Sequence, residues 1–141
     1  MITAYKKGDA KRVVVQSEQV KEASVFAQCF DEIYAYTLKD KKGKIYAVFG
    51  WRQNDDISGE CFALLGKNCR YKLLEIIRFF KREIPAVMQR YHFKYAFITV
   101  KKNFLPARRL AKLLDFYLAA ELPLFFDDTD YQLFERKNLS C

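Results

Sequence analysis

Cys61-Phe62-Ala63-Leu64-Leu65-Gly66-Lys67-Asn68-Cys69 opens the part of the chain that decides the fold, and Tyr95-Ala96-Phe97-Ile98-Thr99-Val100 closes it. Five apolar residues ended by a polar, glycine-containing turn predict a buried strand. From the turn to about Tyr91 the pattern predicts a long amphipathic helix, with Leu73, Ile77, Phe80, Ile84, Val87 and Tyr91 on one face. Pro85 interrupts that run, and its missing N–H predicts a kink near Arg82. Tyr95–Val100 is a second apolar strand. Two buried strands bridged by a helix make a βαβ unit with parallel strands and a right-handed crossover. The loops after the strands, Gly66–Arg70 and Lys101–Asn103, then share the carboxyl edge of the sheet, where open α/β sheets bind ligands.

Working outward, residues 1–11 are basic and predict a loose N-terminal arm. Arg12-Val13-Val14-Val15-Gln16 is a β-branched run that reads as a strand. Ser17 suits an N-cap, and Val20, Ala23, Ala27 and Phe30 recur at helical spacing through about Ile33. Tyr34 to Lys39 alternates as a strand, Asp40-Lys41-Lys42-Gly43 is a turn, and Lys44 to Trp51 is the return strand. A polar loop, Gln53–Gly59, carries Asp55 and Asp56. Beyond Val100, Asn103 is placed to cap a further helix that buries Leu110, Leu113, Leu114 and Tyr117 and turns Leu105, Arg109 and Lys112 outward. Leu122–Phe126 and Tyr131–Glu135 flank Asp127-Asp128-Thr129-Asp130 as a closing hairpin. The order β-α-β-β-β-α-β-α-β-β predicts an α/β (α+β) domain over residues 1–141, a mixed sheet covered by helices.

At 141 residues, with 13 Phe and 9 Tyr against 5 Gly and 3 Pro, the chain is long and apolar enough to bury a core. No apolar run reaches the roughly 18 residues of a membrane helix, and the first residues lack a signal-peptide h-region. A cytoplasmic location is the expectation. Four scattered cysteines (Cys29, Cys61, Cys69, Cys141) and one histidine, His92, do not form a structural zinc set and read as reduced thiols. The net charge of +8 favours anionic partners: nucleic acid, a phosphorylated cofactor or an acidic protein surface. It is equally the charge of many merely soluble small proteins.

The element order resembles that of the Gcn5-related N-acetyltransferase (GNAT) superfamily. Cys61–Leu74 sits where GNAT proteins have the strand and helix that grip the cofactor pyrophosphate. Lys102-Asn103 matches the asparagine that commonly follows the next strand, and Ala107, Leu110 and Asp115-Phe116 are similar to an NxxA…GF segment. A closer likeness is to short GNAT-like proteins of tailed phages, including the internal virion protein of T7-like phages. It rests on Ala47–Gly50, a basic-aromatic long helix, Asn103 and Tyr131-Gln132-Leu133-Phe134, and the likeness spans residues 12–136. The resemblance implies acetyl-CoA or another acyl-CoA as cofactor and an amine or protein acceptor. It also implies a second alternative, an inactive accessory or virion protein that binds protein or nucleic acid. Three departures stand out. The pyrophosphate loop Gly66-Lys67-Asn68-Cys69-Arg70-Tyr71 has one glycine, Asp115 replaces the glycine of GF, and Leu110 and Ala111 stand where a general-acid tyrosine is common.

Carried onto this sequence, the resemblance gives Leu64, Leu65 and Gly66 to Tyr71 the acyl-CoA contacts, with Asn103 on its pantetheine arm. Phosphate binding needs free backbone N–H groups at a helix start, and Lys67 and Arg70 add charge there. Lys101, Lys102 and Arg108 are expected at the same edge, as an anion site or as a solvated basic rim. Acyl transfer to an amine needs a base and an acid. Glu60 is the first choice of base, Asp55 and Asp56 the second, against the reading of all three as exposed turn residues. Tyr117 stands in as the acid only if its helix ends differently. Cys69 is either a reactive thiol at a helix start or a plain turn residue, and His92 reads as structural. Arg78, Lys81, Arg82 and Arg90, with Tyr71 and Tyr95 nearby, form a basic face open to nucleic acid, without any known binding motif.

Overall fold

A computed structural model describes residues 1–16, 19 and 34–138, apart from the side chain of Tyr71. Seven strands form one mixed sheet in the order β1-β2-β3-β4-β5-β7-β6. They are β1 (Ile2–Ala4), β2 (Tyr34–Lys39), β3 (Ile45–Gln53), β4 (Ser58–Leu65), β5 (Tyr95–Lys101), β6 (Tyr117–Phe126) and β7 (Thr129–Lys137). The described helices are α1 (Asp9–Arg12), α2 (Leu73–Arg90) and α3 (Leu105–Leu113), with a 3-10 turn at Cys69–Lys72 leading into α2. β4 and β5 pair in parallel and α2 connects them, as the opening stretch predicts. Among the described residues, no helix is long and apolar enough to cross a membrane. The chain divides into two compact units, Met1–Arg52 with Cys61–Ile76, and Gln53–Glu60 with Ile77–Cys141.

In the first unit the expected loose arm is held: Ile2, Thr3 and Ala4 pair with Leu38, Thr37 and Tyr36 of β2. Asp9 is buried, and its carboxylate accepts from the Thr37 hydroxyl at 2.7 Å and the Lys6 N–H at 3.0 Å. The strand expected at Arg12–Gln16 is absent there. Gly8, at φ 92°, lets a helical turn start at Asp9 and run to Arg12. Only Val15 then keeps a bridge, to Gly66. Val13 goes into the core with Ala10, Ile45, Val48 and Leu64. The helix expected from Ser17 to Ile33 lies outside the described residues, apart from Gln19. The β2–β3 turn is as predicted. The Asp40 carboxylate accepts from the Lys42 and Lys44 N–H groups at 2.9 Å each, and Gly43 takes φ 87°.

In the second unit Ser58, Gly59 and Glu60 pair with Tyr95, Ala96 and Phe97, and β5 pairs with β7 along its whole length. α2 runs unbroken through Pro85. Its buried stripe is Phe79, Phe80, Ile84, Val87 and Met88, turned by about one position from the predicted face, since Ile77 and Tyr91 are only half-buried. His92 takes φ 57° after α2, and the Phe93 and His92 N–H groups close on the Met88 and Gln89 carbonyls.

α3 is shorter than expected. Asp115 takes φ 66°, and the Phe116 and Asp115 N–H groups bond to the Ala111 and Lys112 carbonyls at 3.0 and 3.1 Å. That Schellman closure ends the helix. Tyr117 is therefore the first residue of β6, exposed, and not part of a buried helical stripe. Leu113 is half-exposed too. Asn103 does not cap α3: the N-cap is Phe104, and no side chain caps it. The closing hairpin is longer than expected. It turns on Asp127 and Asp128, both at φ 51°, the positive-φ pair of a two-residue hairpin loop.

Candidate functional site

Backbone direction along β4 defines the first part of the site. Even-numbered residues face β3: the Gly66 N–H donates to the Tyr46 carbonyl at 2.7 Å. Odd-numbered residues face the other edge, where the Ile57 carbonyl accepts from the Tyr95 N–H at 3.1 Å. Farther along that same edge, Ala63 and Leu65 are met by the chain's own N-terminal segment. The Gln19 carboxamide donates to the Ala63 carbonyl at 2.9 Å and accepts from the Leu65 N–H at 2.7 Å. The Gln16 N–H donates to the Leu65 carbonyl at 3.1 Å, and the Lys67 N–H to the Val14 carbonyl at 2.8 Å. Gln19 is only 5% exposed. The side chains of Leu64 and Leu65 are buried, the Leu64 backbone faces β3, and the Leu65 backbone groups are taken by Gln19 and Gln16.

In the turn, a Cβ on Gly66 would stand 2.5 Å from the Tyr46 carbonyl oxygen. Close approach of β3 requires this glycine, without any appeal to a phosphate. The Gly66 and Lys67 N–H groups are already bonded, as above, and the Cys69 N–H bonds to the Gly66 carbonyl at 3.0 Å. Cys69 is buried, and burial pushes its thiol up to about 11, which removes the reactive-thiol alternative. Lys67, Asn68 and Arg70 remain exposed. Lys67 and Asn68 share a cavity of about 330 Å³ with Arg12, Lys44 and Tyr46. Neither Arg12 nor Lys44 stands out in the sequence as a site residue, because the fold alone brings them to the turn.

In the second unit, Glu60 pairs with Phe97, Phe97 with Glu135, and Glu135 with Tyr117. Directly paired residues share a face, so Glu60 and Tyr117 lie in one row on one side of the sheet. Three inter-strand steps separate them, about 14 Å. The two expected catalytic residues are not brought to one reacting centre. The Tyr117 hydroxyl donates instead to Glu135 at 3.1 Å, and Tyr117 lines a cavity of about 670 Å³ with Met88, Asp115 and Arg136. Asp55 closes its own loop, accepting from the Ile57 N–H and the Ser58 hydroxyl at 2.9 Å each. The Ile57 bond, then the Ser58 one, hold its carboxyl below the usual value, which makes it a poor base. Asp56 is exposed in the same loop.

Asn103 is exposed and lines a groove of about 630 Å³ with Lys102, Arg108, Asp128 and Asp130. The Arg108 guanidinium donates to the Lys102 carbonyl at 3.2 Å, and Lys102 pairs with Glu121 at 3.8 Å. Lys101 is half-buried at the end of β5. Arg78, Lys81, Arg82 and Arg90 are all exposed on α2, with Arg82 lying over the Phe79 ring at 5.6 Å.

No protein-family model matches the sequence, and no curated protein matches it either. Solved structures do. Ard1 from Thermoplasma volcanium superposes with a TM-score of 0.73 at 13% identity, covering 99% of this chain and 97% of that one. An acetyltransferase of the GNAT family from Bacillus anthracis gives 0.72 at 6% identity over 97% and 93%. A chimera of the Vibrio cholerae spermidine N-acetyltransferase SpeG and hSSAT gives 0.71 at 10% identity over 99% and 97%. The chain has the GNAT fold, with its mixed seven-stranded sheet and flanking helices.

Proposed function

We propose that this chain is an acyl-CoA-dependent N-acyltransferase acting on an amine in the cytoplasm. One observation carries the reading. The far edge of β4 is built to hold an amide, and it holds one: the Gln19 carboxamide, between the Ala63 carbonyl and the Leu65 N–H. The pantetheine arm of coenzyme A carries the same chemical group. That edge matches the arm's amide, with the backbone of Ala63 and Leu65 receiving it; Leu64, whose backbone faces β3, is not part of that edge. Gly66 to Tyr71 would meet the phosphates through the charges of Lys67 and Arg70 and through the backbone of Asn68. Arg12 and Lys44 add charge beside them. When bound, acyl-CoA supplies the acyl group as a thioester.

Glu60 takes the proton from the incoming ammonium at its carboxylate. Tyr117, three strands away, is reserved for holding the far end of an extended acceptor beside Glu135. Spermidine, named for one structural neighbour, is the first amine to try. Calorimetric titration of acetyl-CoA into the protein and into a Lys67→Glu/Arg70→Glu variant tests the reading. Micromolar binding lost in the variant supports it, and no binding at millimolar cofactor sinks it. With binding in hand, Glu60→Gln should abolish turnover at unchanged cofactor affinity.

A second reading rests on the hydrogen bonds already made at that edge. With the Gly66 and Lys67 N–H groups and the Leu65 backbone satisfied internally, the chain is a phage-encoded accessory or virion protein that has lost catalysis. It would then bind nucleic acid or protein through Arg78, Lys81, Arg82 and Arg90. Absence of cofactor binding, together with salt-dependent retention of nucleic acid lost on reversing those four charges, would select it.

A further inference from the structure

The β4 edge holds a residue to which the reaction itself assigns no task. We infer that Gln19 is an internal competitor for the cofactor's amide-bearing arm and sets the affinity of the site. The inference rests on the acyl-CoA reading above. Its geometry does not: a nearly buried side-chain amide satisfies both a donor and an acceptor on the edge of a strand, 2.7 and 2.9 Å away. A strand edge offers each N–H and each carbonyl direction to one ligand at a time. An arm that pairs with Ala63 and Leu65 must first displace Gln19.

The backbone anchors beside Gln19 are separate from its side-chain bonds. The segment carrying Gln19 is pinned separately by the Gln16–Leu65 and Lys67–Val14 backbone bonds on either side of the Val15–Gly66 bridge. Swinging the Gln19 side chain away breaks none of these. The arriving amide inherits a preformed pair of partners. Apparent affinity is thus reduced by the fraction of molecules in which Gln19 occupies the edge. The phosphate end of the cofactor, held by Lys67 and the neighbouring cations, is untouched by this competition.

The experiment compares the parent chain with Gln19→Ala and with Gln19→Met, which keeps the side-chain length without the amide. Coenzyme A and adenosine 3′,5′-bisphosphate, which lacks the arm, are titrated into each by calorimetry. The expected result is about tenfold tighter binding of coenzyme A in both variants, the size expected for releasing one or two net hydrogen bonds. The bisphosphate should bind with unchanged affinity. Amide exchange gives a readout that needs no ligand: the Leu65 N–H loses protection in the variants while the Lys67 N–H keeps it. Equal coenzyme A affinity in folded parent and variants overturns the inference and leaves the acyl-CoA reading standing. Equal tightening of both ligands also overturns it. No coenzyme A binding by any of the proteins removes the reading and the inference together. Should both variants fail to fold, the parent decides: the Gln19 carboxamide resonances must move on saturation with coenzyme A, and if they stay in place the inference is wrong.

Discussion

Gly66→Ala tests what the single glycine of the turn is for. The new methyl carbon would start 2.5 Å from the Tyr46 carbonyl oxygen, whereas a carbon–oxygen contact settles near 3.3 Å or beyond. The neighbour is backbone in the middle of a sheet, so no side chain can rotate away. β3 and β4 must separate by most of an ångström, which also strains the 2.7 Å bond from the Gly66 N–H to that same oxygen. Overpacking of this kind costs about 1–3 kcal/mol and the weakened hydrogen bond about 1 more. The sum is about 2–4 kcal/mol. An unfolding entropy of about 2.1 cal/mol/K per residue gives this chain about 0.3 kcal/mol/K, so Tm should fall by about 7–13 °C. Urea unfolding followed by fluorescence and circular dichroism measures the change directly.

Gly43→Ala is the comparison, because Gly43 has φ 87° but nothing within 4 Å of a new Cβ. It should cost only the conformational strain, about 1 kcal/mol. If Gly66→Ala stays within about 0.5 kcal/mol of the parent, the close-approach argument is refuted. If coenzyme A binding were lost at the same time, the glycine would belong to the ligand.

Asp115→Gly should raise stability by about 1 kcal/mol, since φ 66° strains Asp115 and its pairing with Arg136 is long, at 3.9 Å, with the carboxylate exposed; a melting temperature at or below the parent's would count against it. Asp40→Ala should destabilise at neutral pH and converge on the parent in acid. The Lys44 N–H, and with it the Lys42 N–H, hold the Asp40 carboxyl below its unfolded value. Its contribution is therefore present above about pH 4 and lost as pH falls through the folded value; a difference that persists at pH 2 would contradict this. Cys69 behaves with the opposite sign, because burial raises its thiol to about 11. Its contribution is full below the unfolded value near 9 and disappears as pH rises through 11. At pH 8 iodoacetamide should therefore modify Cys69 about a hundredfold more slowly in the folded chain than in urea, which peptide mass mapping would show.

The βαβ unit, the Asp40–Gly43 turn and the closing hairpin were legible because each joins a clear periodicity to turn residues with a local reason to be there. The N-terminal elements were not. A strand of three residues and a helix of four are too short to show a period, and the triple valine pointed to a strand that one positive-φ glycine pre-empts. The end of α3 was misplaced because Asp115 does what a glycine usually does at that position. That one backbone angle moved Tyr117 from a helix to a strand. Lys67 follows β4 in the turn, as its local sequence predicts, whereas Asn103 lies one residue before the N-cap it was expected to fill. Gln19 and Arg12 reach the turn only through long-range packing, and Gln19 sits 46 positions from the N–H it holds. No spacing rule reports such a pair.

The Val15–Gly66 bridge also bears on the order in which the chain folds. The turn of the β2–β3 hairpin closes over a handful of residues, whereas this bridge joins segments about fifty residues apart, so its closure entropy is repaid only after β3 and β4 are in place. It should therefore be absent from the folding nucleus. Substitutions at Val15 would leave the folding rate nearly unchanged and speed unfolding, the signature of a contact that forms last and is released first.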